Sequence, residues 1–281
     1  MKTGLVLEGG AMRGLFTAGV LDAFLEEGIR FDGIVGVSAG AAFGCNFRSA
    51  QKGRALRYNT RFCRDKRYCS LFSLVTTGDL YGAEFCYKTL PEELDPFDWD
   101  AWDRDGTPFY VTCTHVETGT ARSFLCNGDR ERTMSLFRAS ASMPLVSRKV
   151  MIDGESYLDG GVADSIPLSF MENQGFEKNV VILTQPSSYR KESSSALALM
   201  GLRYGKKSAL YQCMKSRHTR YNAQREEIFR KQAEGKAFVI MPSEPLPVSR
   251  TEKDPEKLRL AHRLGYDAGK EQTERLKEFL R

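Results

Sequence analysis

Ser38 stands in Gly36-Val37-Ser38-Ala39-Gly40, with a glycine two residues away on either side. On a sharp strand-to-helix turn this spacing lets the backbone crowd together and lifts the hydroxyl clear of a sheet, where it can attack an acyl carbon. The same five residues also suit a loop of small side chains, because a pattern with three fixed positions recurs by chance. A nucleophilic serine needs a base for its proton and donors for the oxyanion it creates. Two further stretches offer these: Gly9-Gly10-Ala11-Met12-Arg13-Gly14 near the start, and Asp159-Gly160-Gly161 far downstream, itself a turn signal first.

The elements that must position these residues are legible around them. Thr3 to Glu8 is a short apolar run, and Leu15, Ala18, Val20, Leu21, Phe24 and Leu25 then recur at helical spacing. Gly28 suits the end of that helix, and Phe31 to Val37 is a second strand running into Ser38. Strand, glycine loop, helix, strand and serine turn make a βαβ unit, which requires a parallel sheet. Parallel strands place their C-terminal ends on one edge, so the glycine loop and Ser38 are expected to be neighbours. The loop lacks a Walker A lysine, having Leu15 instead, and Ala11 and Met12 interrupt a dinucleotide fingerprint. Exposed amides beside a nucleophile read better as an oxyanion hole.

Further along, Phe109–Thr114 and Thr120–Leu125 read as paired strands, Glu131–Ser140 as a helix, and Lys149–Ile152 and Asn179–Thr184 as strands. Leu71–Tyr81 reads as a loop or lid. A long helix is expected over 196–235, with a last strand at Ala237–Met241 and a helix from Pro255 capped by Asp254. Residues 1–184 are expected to form the catalytic domain, and 185–281 a basic, mainly helical extension packed on it.

Composition is that of a globular chain, 41% hydrophobic and 27% charged, with no apolar stretch near the ~18 residues of a membrane span. The N-terminus enters a strand with no secretory h-region, so a cytoplasmic location is expected, with peripheral membrane contact possible on electrostatic grounds. Seven cysteines without a C-x-x-C pair read as reduced thiols; Cys113 and His115 alone are a weak metal hint, and neither a metal nor another cofactor is expected. The net charge of +5 divides unevenly: residues 185–281 hold 21 Lys and Arg against 12 Asp and Glu, whereas residues 1–184 hold 20 against 24. A basic C-terminal third can face anionic lipid, nucleic acid or only water. Residues 196–235 carry Lys206, Lys207, Lys215, Arg217, Arg220, Arg225, Arg230 and Lys231, but no nucleic-acid motif or aromatic platform, so a nucleic-acid partner is not expected.

In combination and in order, these stretches resemble the patatin-like phospholipases. Gly9–Gly14 is similar to their G-G-G-x-[KR]-G loop and Gly36–Gly40 to their nucleophile elbow. Ala139-Ser140-Ala141-Ser142-Met143-Pro144 matches their A-S-x-x-x-P segment, and Asp159-Gly160-Gly161 their D-G-[GA]. The resemblance implies a three-layer α/β/α fold with a mostly parallel central sheet, followed here by the C-terminal helical extension. It also implies a serine–aspartate dyad of Ser38 and Asp159 that cleaves acyl esters of lipids, with Gly9, Gly10, Ala11 and Met12 supplying the oxyanion hole. Motif glycines 14, 36, 40, 160 and 161 shape the turns. Ala11 departs from the pattern, and at a position requiring positive φ it costs about 1 kcal/mol. Arg13 either meets a lipid phosphate or carboxylate or braces its loop through Glu8 or Asp32. A histidine triad would need His218 or His262, the two histidines that follow Asp159, and both suit helix packing better. Asp153 and Glu155 read as solvated acids, and Asp164 and Pro167 as shaping the loop behind Asp159. The rival to an acyl hydrolase acting on phospholipids or simpler esters is a lipid-binding or scaffolding protein that has kept the fold without turnover.

Overall fold

The two apolar runs flanking the glycine loop become β1 (Thr3–Leu7) and β2 (Gly33–Val37), joined by helix α1 (Gly14–Glu26). They pair in parallel with Leu7 opposite Gly36, so α1 is the crossover of the expected βαβ unit. The structure, a computed structural model, describes residues 1–281. After β2 come α2 (Ala39–Arg48), α3 (Arg54–Phe62), α4 (Leu71–Thr77), a π-type helix over Phe85–Leu94, and α5 (Trp99–Asp105). Next are β3 (Phe109–His115), β4 (Ala121–Leu125), α6 (Arg130–Ser140), β5 (Val150–Ile152), β6 (Glu155–Asp159), α7 (Leu168–Asn173) and β7 (Lys178–Ile182). The chain closes with α8 (Leu197–Tyr204), α9 (Ala209–Ala233), β8 (Ala237–Ile240), α10 (Pro255–Glu271) and α11 (Thr273–Leu280).

One sheet contains all eight strands, in the order β5-β6-β3-β2-β1-β7-β8 with β4 also on β3. The pairs among β8, β7, β1, β2 and β3 are parallel, and those that involve β4, β5 or β6 are antiparallel. Alternation along the strands builds two cores. Leu5, Leu7 and Ile34 pack with Phe16, Val20 and Phe24 of α1 on one face, while Val6, Val35 and Val181 meet Tyr221 and Ile228 of α9 on the other. This is the three-layer α/β/α arrangement. β8 adds an edge strand beside β7, and α10 lies along α1, where His262 Nε2 meets Asp22 at 2.8 Å.

The edges of β3 set up the site. Residues 110–114 pair with β4 on one edge. The other edge holds β2 as far as Val37, opposite Thr112, and then β6, whose Asp159 lies opposite Cys113. β2 runs parallel to β3 and β6 antiparallel, so the two strands advance toward each other along one edge. They meet end to end at Ser38 and Asp159.

Two expectations differ from the structure. The helix expected over 196–235 is two helices: Gly205, at φ +81°, ends α8, and Ser208 caps α9 by accepting from the Tyr211 amide. Helical periodicity carries across such a break, because four intervening residues, about one helical turn, do not erase the pattern. The loop or lid expected at 71–81 contains α4, capped by Ser70 and terminated by Gly78 in the left-handed region. No helix is long and apolar enough to cross a membrane.

Candidate active site

Ser38 sits at φ +54° and ψ −122°, a conformation an L-residue adopts only under constraint, at a cost of about 1–3 kcal/mol. The constraint is visible. Its amide donates to Ser140 Oγ at 2.8 Å, and that hydroxyl donates onward to the Thr112 carbonyl at 2.6 Å. Its carbonyl accepts from the Ala41 and Ala42 amides in the first turn of α2. A side chain at Gly40 would put Cβ 2.4 Å from the Leu7 carbonyl oxygen, so glycine is what lets α2 settle onto the end of β1.

Asp159 is held as firmly from the opposite side. Its amide donates to the Ser142 carbonyl at 2.8 Å, and its carbonyl accepts from the Thr114 hydroxyl at 2.7 Å. Its Oδ1 accepts from the Gly161 amide at 2.7 Å. A Cβ at Gly160 would lie 2.0 Å from the Thr112 carbonyl oxygen, which glycine alone avoids. One short segment, residues 139–144, therefore ties down both ends: Ser140 grips the serine turn and Ser142 the aspartate.

Only 2% of Asp159 is exposed, and burial pushes its carboxyl above the usual aspartate range. The Arg217 charge, the nearby Ser38 hydroxyl and the Gly161 amide pull the other way, in that order of strength. A carboxylate drawn up by desolvation is a better proton acceptor than a solvated one. Asp164, just downstream, has its carboxyl pushed up by burial too; it accepts from Gln224 and from the Ile166 amide, which fixes the loop behind Asp159.

The glycine loop turns directly into α1 through a 3-10 turn over Ala11–Arg13. Ala11 takes φ +49°, so the position does demand the left-handed region. The amides of Gly10, Ala11 and Met12 donate to no protein acceptor. Gly9 to Arg13, Ser38 and Asp159 all line one cavity of about 370 Å³, whose remaining walls are largely apolar and aromatic, Phe43, Tyr58, Leu90 and Phe137 among them. The geometry supplies a hydroxyl, a buried carboxylate and free backbone donors around space for an apolar chain.

No histidine lines this cavity. His262 is taken by Asp22, and His115 faces Glu117, Glu155 and Thr118. Asp153 and Glu155 form ion pairs with Arg132 and Arg122 at the surface. Arg13 pairs with neither Glu8 nor Asp32, the braces the sequence suggests. Asp32 accepts from Thr3, and Glu8 accepts from Thr184 and from the Tyr221 hydroxyl at 2.6 Å; Arg13 Nε is buried without a partner.

Sequence reasoning missed Glu8, Lys191, Arg217 and Arg250, all of which line the cavity. Arg217 is on α9, where it donates to the Gly161 carbonyl and sits beside Asp159. In the sequence it is one of nine cations over residues 196–235, with nothing to separate it from its neighbours. That stretch is largely not a free surface. Arg220 and Arg225 donate to the backbone carbonyls of Val162, Gln185 and Pro186, and Arg230 and Lys231 form ion pairs with Glu227, Glu234 and Glu172.

Comparison with known proteins identifies the family. The family described as "Patatin-like phospholipase" matches residues 5–171, and a "Domain of unknown function (DUF6363)" matches residues 207–281. The chain is 33% identical over 195 residues to the uncharacterized protein YjjU of Escherichia coli, covering 66% of this chain and 53% of that one. It is 29% identical over 183 residues to lysophospholipase nte1 of Aspergillus oryzae, covering 62% of this chain and 11% of that one. With the neuropathy target esterase sws of Drosophila melanogaster it shares 31% over 183 residues, 61% of this chain and 12% of the other. The chain thus spans about half of the bacterial relative and about a tenth of the eukaryotic ones. Among solved structures, VipD from Legionella pneumophila aligns over 97% of this chain and 67% of its own, with a TM-score of 0.47 and 12% identity.

Proposed function

Because the chain belongs to the patatin-like phospholipase family, we propose that it is a serine lipid-acyl hydrolase in which Ser38 is the nucleophile and Asp159 its base. The observation that carries this reading is the end-to-end meeting of β2 and β6, which brings the strained serine and the buried aspartate together beside three unpaired amides. Ser38 Oγ attacks the ester carbonyl carbon as its proton passes to Asp159. The carbonyl oxygen, now anionic, accepts from the amides of Gly10, Ala11 and Met12. Collapse of the tetrahedral species expels the alcohol, which takes the proton back from Asp159. Water then repeats the sequence on the acyl-serine and frees the fatty acid. No histidine is needed, because desolvation raises the basicity of Asp159 and the transient charge is met by backbone donors.

In this reading residues 1–184 carry the chemistry and residues 185–281 form a segment packed on them. The acyl chain occupies the apolar part of the cavity. Access from a membrane surface is supported by α4, whose Leu71, Phe72 and Val75 are 74%, 60% and 85% exposed next to Leu80 and Tyr81 of the cavity wall. A fluorophosphonate probe is expected to label the protein at Ser38 and to spare Ser38→Ala. Equal labelling of both would remove Ser38 from the mechanism. Fatty-acid release from a panel of acyl esters, with Ser38→Ala as the blank, then separates a hydrolase from a protein that only binds lipid.

A further inference from the structure

The cavity beside Ser38 has a cationic wall that the acyl-transfer steps leave unused. Arg13 enters it from the glycine loop, Lys191 from the segment after β7, Arg217 from α9 and Arg250 from the segment before α10. None of the four forms an ion pair with a carboxylate, and the only side-chain hydrogen bond among them is from Arg217 Nε to the Gly161 carbonyl. The nearby carboxylates offset them only in part: Asp159 acts on Arg217 and Glu8 on Lys191, and neither closes an ion pair. Glu8 already accepts from Thr184 and Tyr221, and Asp159 Oδ1 accepts from the Gly161 amide.

This arrangement is built. The Lys191 backbone is clamped in both directions by Asn222 of α9, its amide donating to Oδ1 at 2.9 Å and its carbonyl accepting from Nδ2 at 3.0 Å. Buried Arg225 of the same helix donates to the carbonyls of Gln185 and Pro186, fixing the start of that segment. The lysine is thereby held in a place its charge resists. Burial first, and then the Arg217 charge, bring its ammonium down to about 7; Glu8 pulls the other way more strongly than either Arg13 or Arg250 pushes. Four cations lining one cavity that opens on a nucleophile, none of them closed into an ion pair, suit an anionic group on the substrate.

We propose that Arg13, Lys191, Arg217 and Arg250 form a phosphate subsite that selects acyl esters bearing a phosphomonoester headgroup; this rests on the hydrolase reading above. A dianionic phosphate offers an acceptor oxygen to each of several donors, and guanidinium groups match it in geometry. A phosphocholine headgroup is disfavoured twice. Its quaternary ammonium adds a like charge, and the rings that could hold it already hold Lys191 Nζ, 4.2 Å from the centroid of Tyr221 and 5.7 Å from that of Tyr189. Three of the four cations lie outside residues 5–171, the stretch matched by the catalytic family, so headgroup choice belongs to the C-terminal segment.

Calorimetric titration of Ser38→Ala protein tests this without turnover, using monomeric lysophosphatidate, the matched lysophosphatidylcholine and inorganic phosphate in one buffer. Lysophosphatidate is expected to bind at least about tenfold more tightly than the choline lipid. Adding Lys191→Gln or Arg250→Gln is expected to remove most of that preference, and Lys191→Arg to keep it. Equal affinity for the two lipids overturns the proposal. So does inorganic phosphate binding as tightly as lysophosphatidate, which would mark a site for the free anion. A preference for lysophosphatidate in a protein that releases fatty acid from no ester would uphold the subsite while overturning the hydrolase reading.

Discussion

The two walls of the cavity are built on different principles. The reactive wall, with Ser38, Asp159 and the Gly9–Met12 loop, stores its stress in the backbone: positive φ at Ala11 and Ser38, and close approaches that only glycine permits at positions 40 and 160. Hydrogen bonds to Ser140, Ser142 and Thr114 hold that geometry. The cationic wall, with Lys191, Arg217 and Arg250, has ordinary backbone there and stores its stress in like charges brought together, with burial resisting the charge on Lys191 and Arg217. A strained turn places one atom to within a fraction of an ångström, as nucleophilic attack requires. Long cationic side chains give reach and charge, which suits recognising a headgroup more than aligning a reacting bond.

The walls should therefore fail differently. On the reactive wall, Ser38→Ala or Asp159→Asn is expected to lower acyl hydrolysis by about 10⁴-fold or more on every ester, measured as fatty-acid release. A large residual rate on one headgroup class would break the distinction. Ser140→Ala is gentler: it leaves the Ser38 amide and the Thr112 carbonyl without their shared partner, costing about 1–3 kcal/mol of stability. It should also loosen the serine turn enough to lower kcat by about 10–100-fold, with KM little changed. Chemical denaturation and steady-state kinetics on the same protein check both.

The walls should also titrate apart. Asp159 must be ionised to accept a proton, and burial raises its pKa, so kcat/KM on any ester is expected to climb with pH through a midpoint above the ordinary aspartate value of about 3.9. Lys191 faces Arg13, Arg217, Arg250, Glu8, Tyr189 and Tyr221 and loses its proton near pH 7. For phosphomonoester substrates kcat/KM should then fall above about pH 7, while esters without phosphate should show no such limb. Stability moves with its own sign. Between about pH 7 and the ordinary lysine value near 10.4, the unfolded chain holds a proton that the folded one lacks, so Lys191 makes stability rise with pH across that window. Lys191→Gln should flatten this rise in denaturation midpoints taken at several pH values.

The contrast also explains what the sequence discloses. Residues 3–40 can be read almost atom by atom, since a strand, a glycine loop, an amphipathic helix and a second strand are all local patterns, and parallel pairing puts Ser38 beside the loop. Asp159 was legible through its turn and its place in the order of motifs. Nothing local says that β6 would run head-on into β2 along the edge of β3. Lys191, Arg217 and Arg250 carry no local signal at all. They become a group only when α9 crosses the end of the sheet and Asn222 and Arg225 pull the 185–191 segment over the cavity. The break at Gly205 was hidden for a related reason: apolar spacing reports the buried side of each helix, not the continuity between them.

The smallest expected effect tests whether backbone strain on the reactive wall is a means or only a cost. Ala11 occupies φ +49° with an ordinary side chain, where glycine would pay nothing for the conformation. Ala11→Gly relieves roughly 1–2 kcal/mol of native strain but also gives the unfolded chain more freedom, worth about 0.4–1 kcal/mol, so a net gain of up to about 1.6 kcal/mol is expected by denaturant titration. The amide stays, and with it the oxyanion donor, so kcat should change by no more than about threefold. A gain in stability with unaltered kcat assigns the alanine's strain to the cost side, because the loop then keeps its form through the α1 turn and the Arg13 amide bond to the Gly10 carbonyl. A gain in stability with kcat lowered by tenfold or more would mean that the Ala11 methyl stiffens the loop and aims its amide, and that the reactive wall depends on strain at two points rather than one.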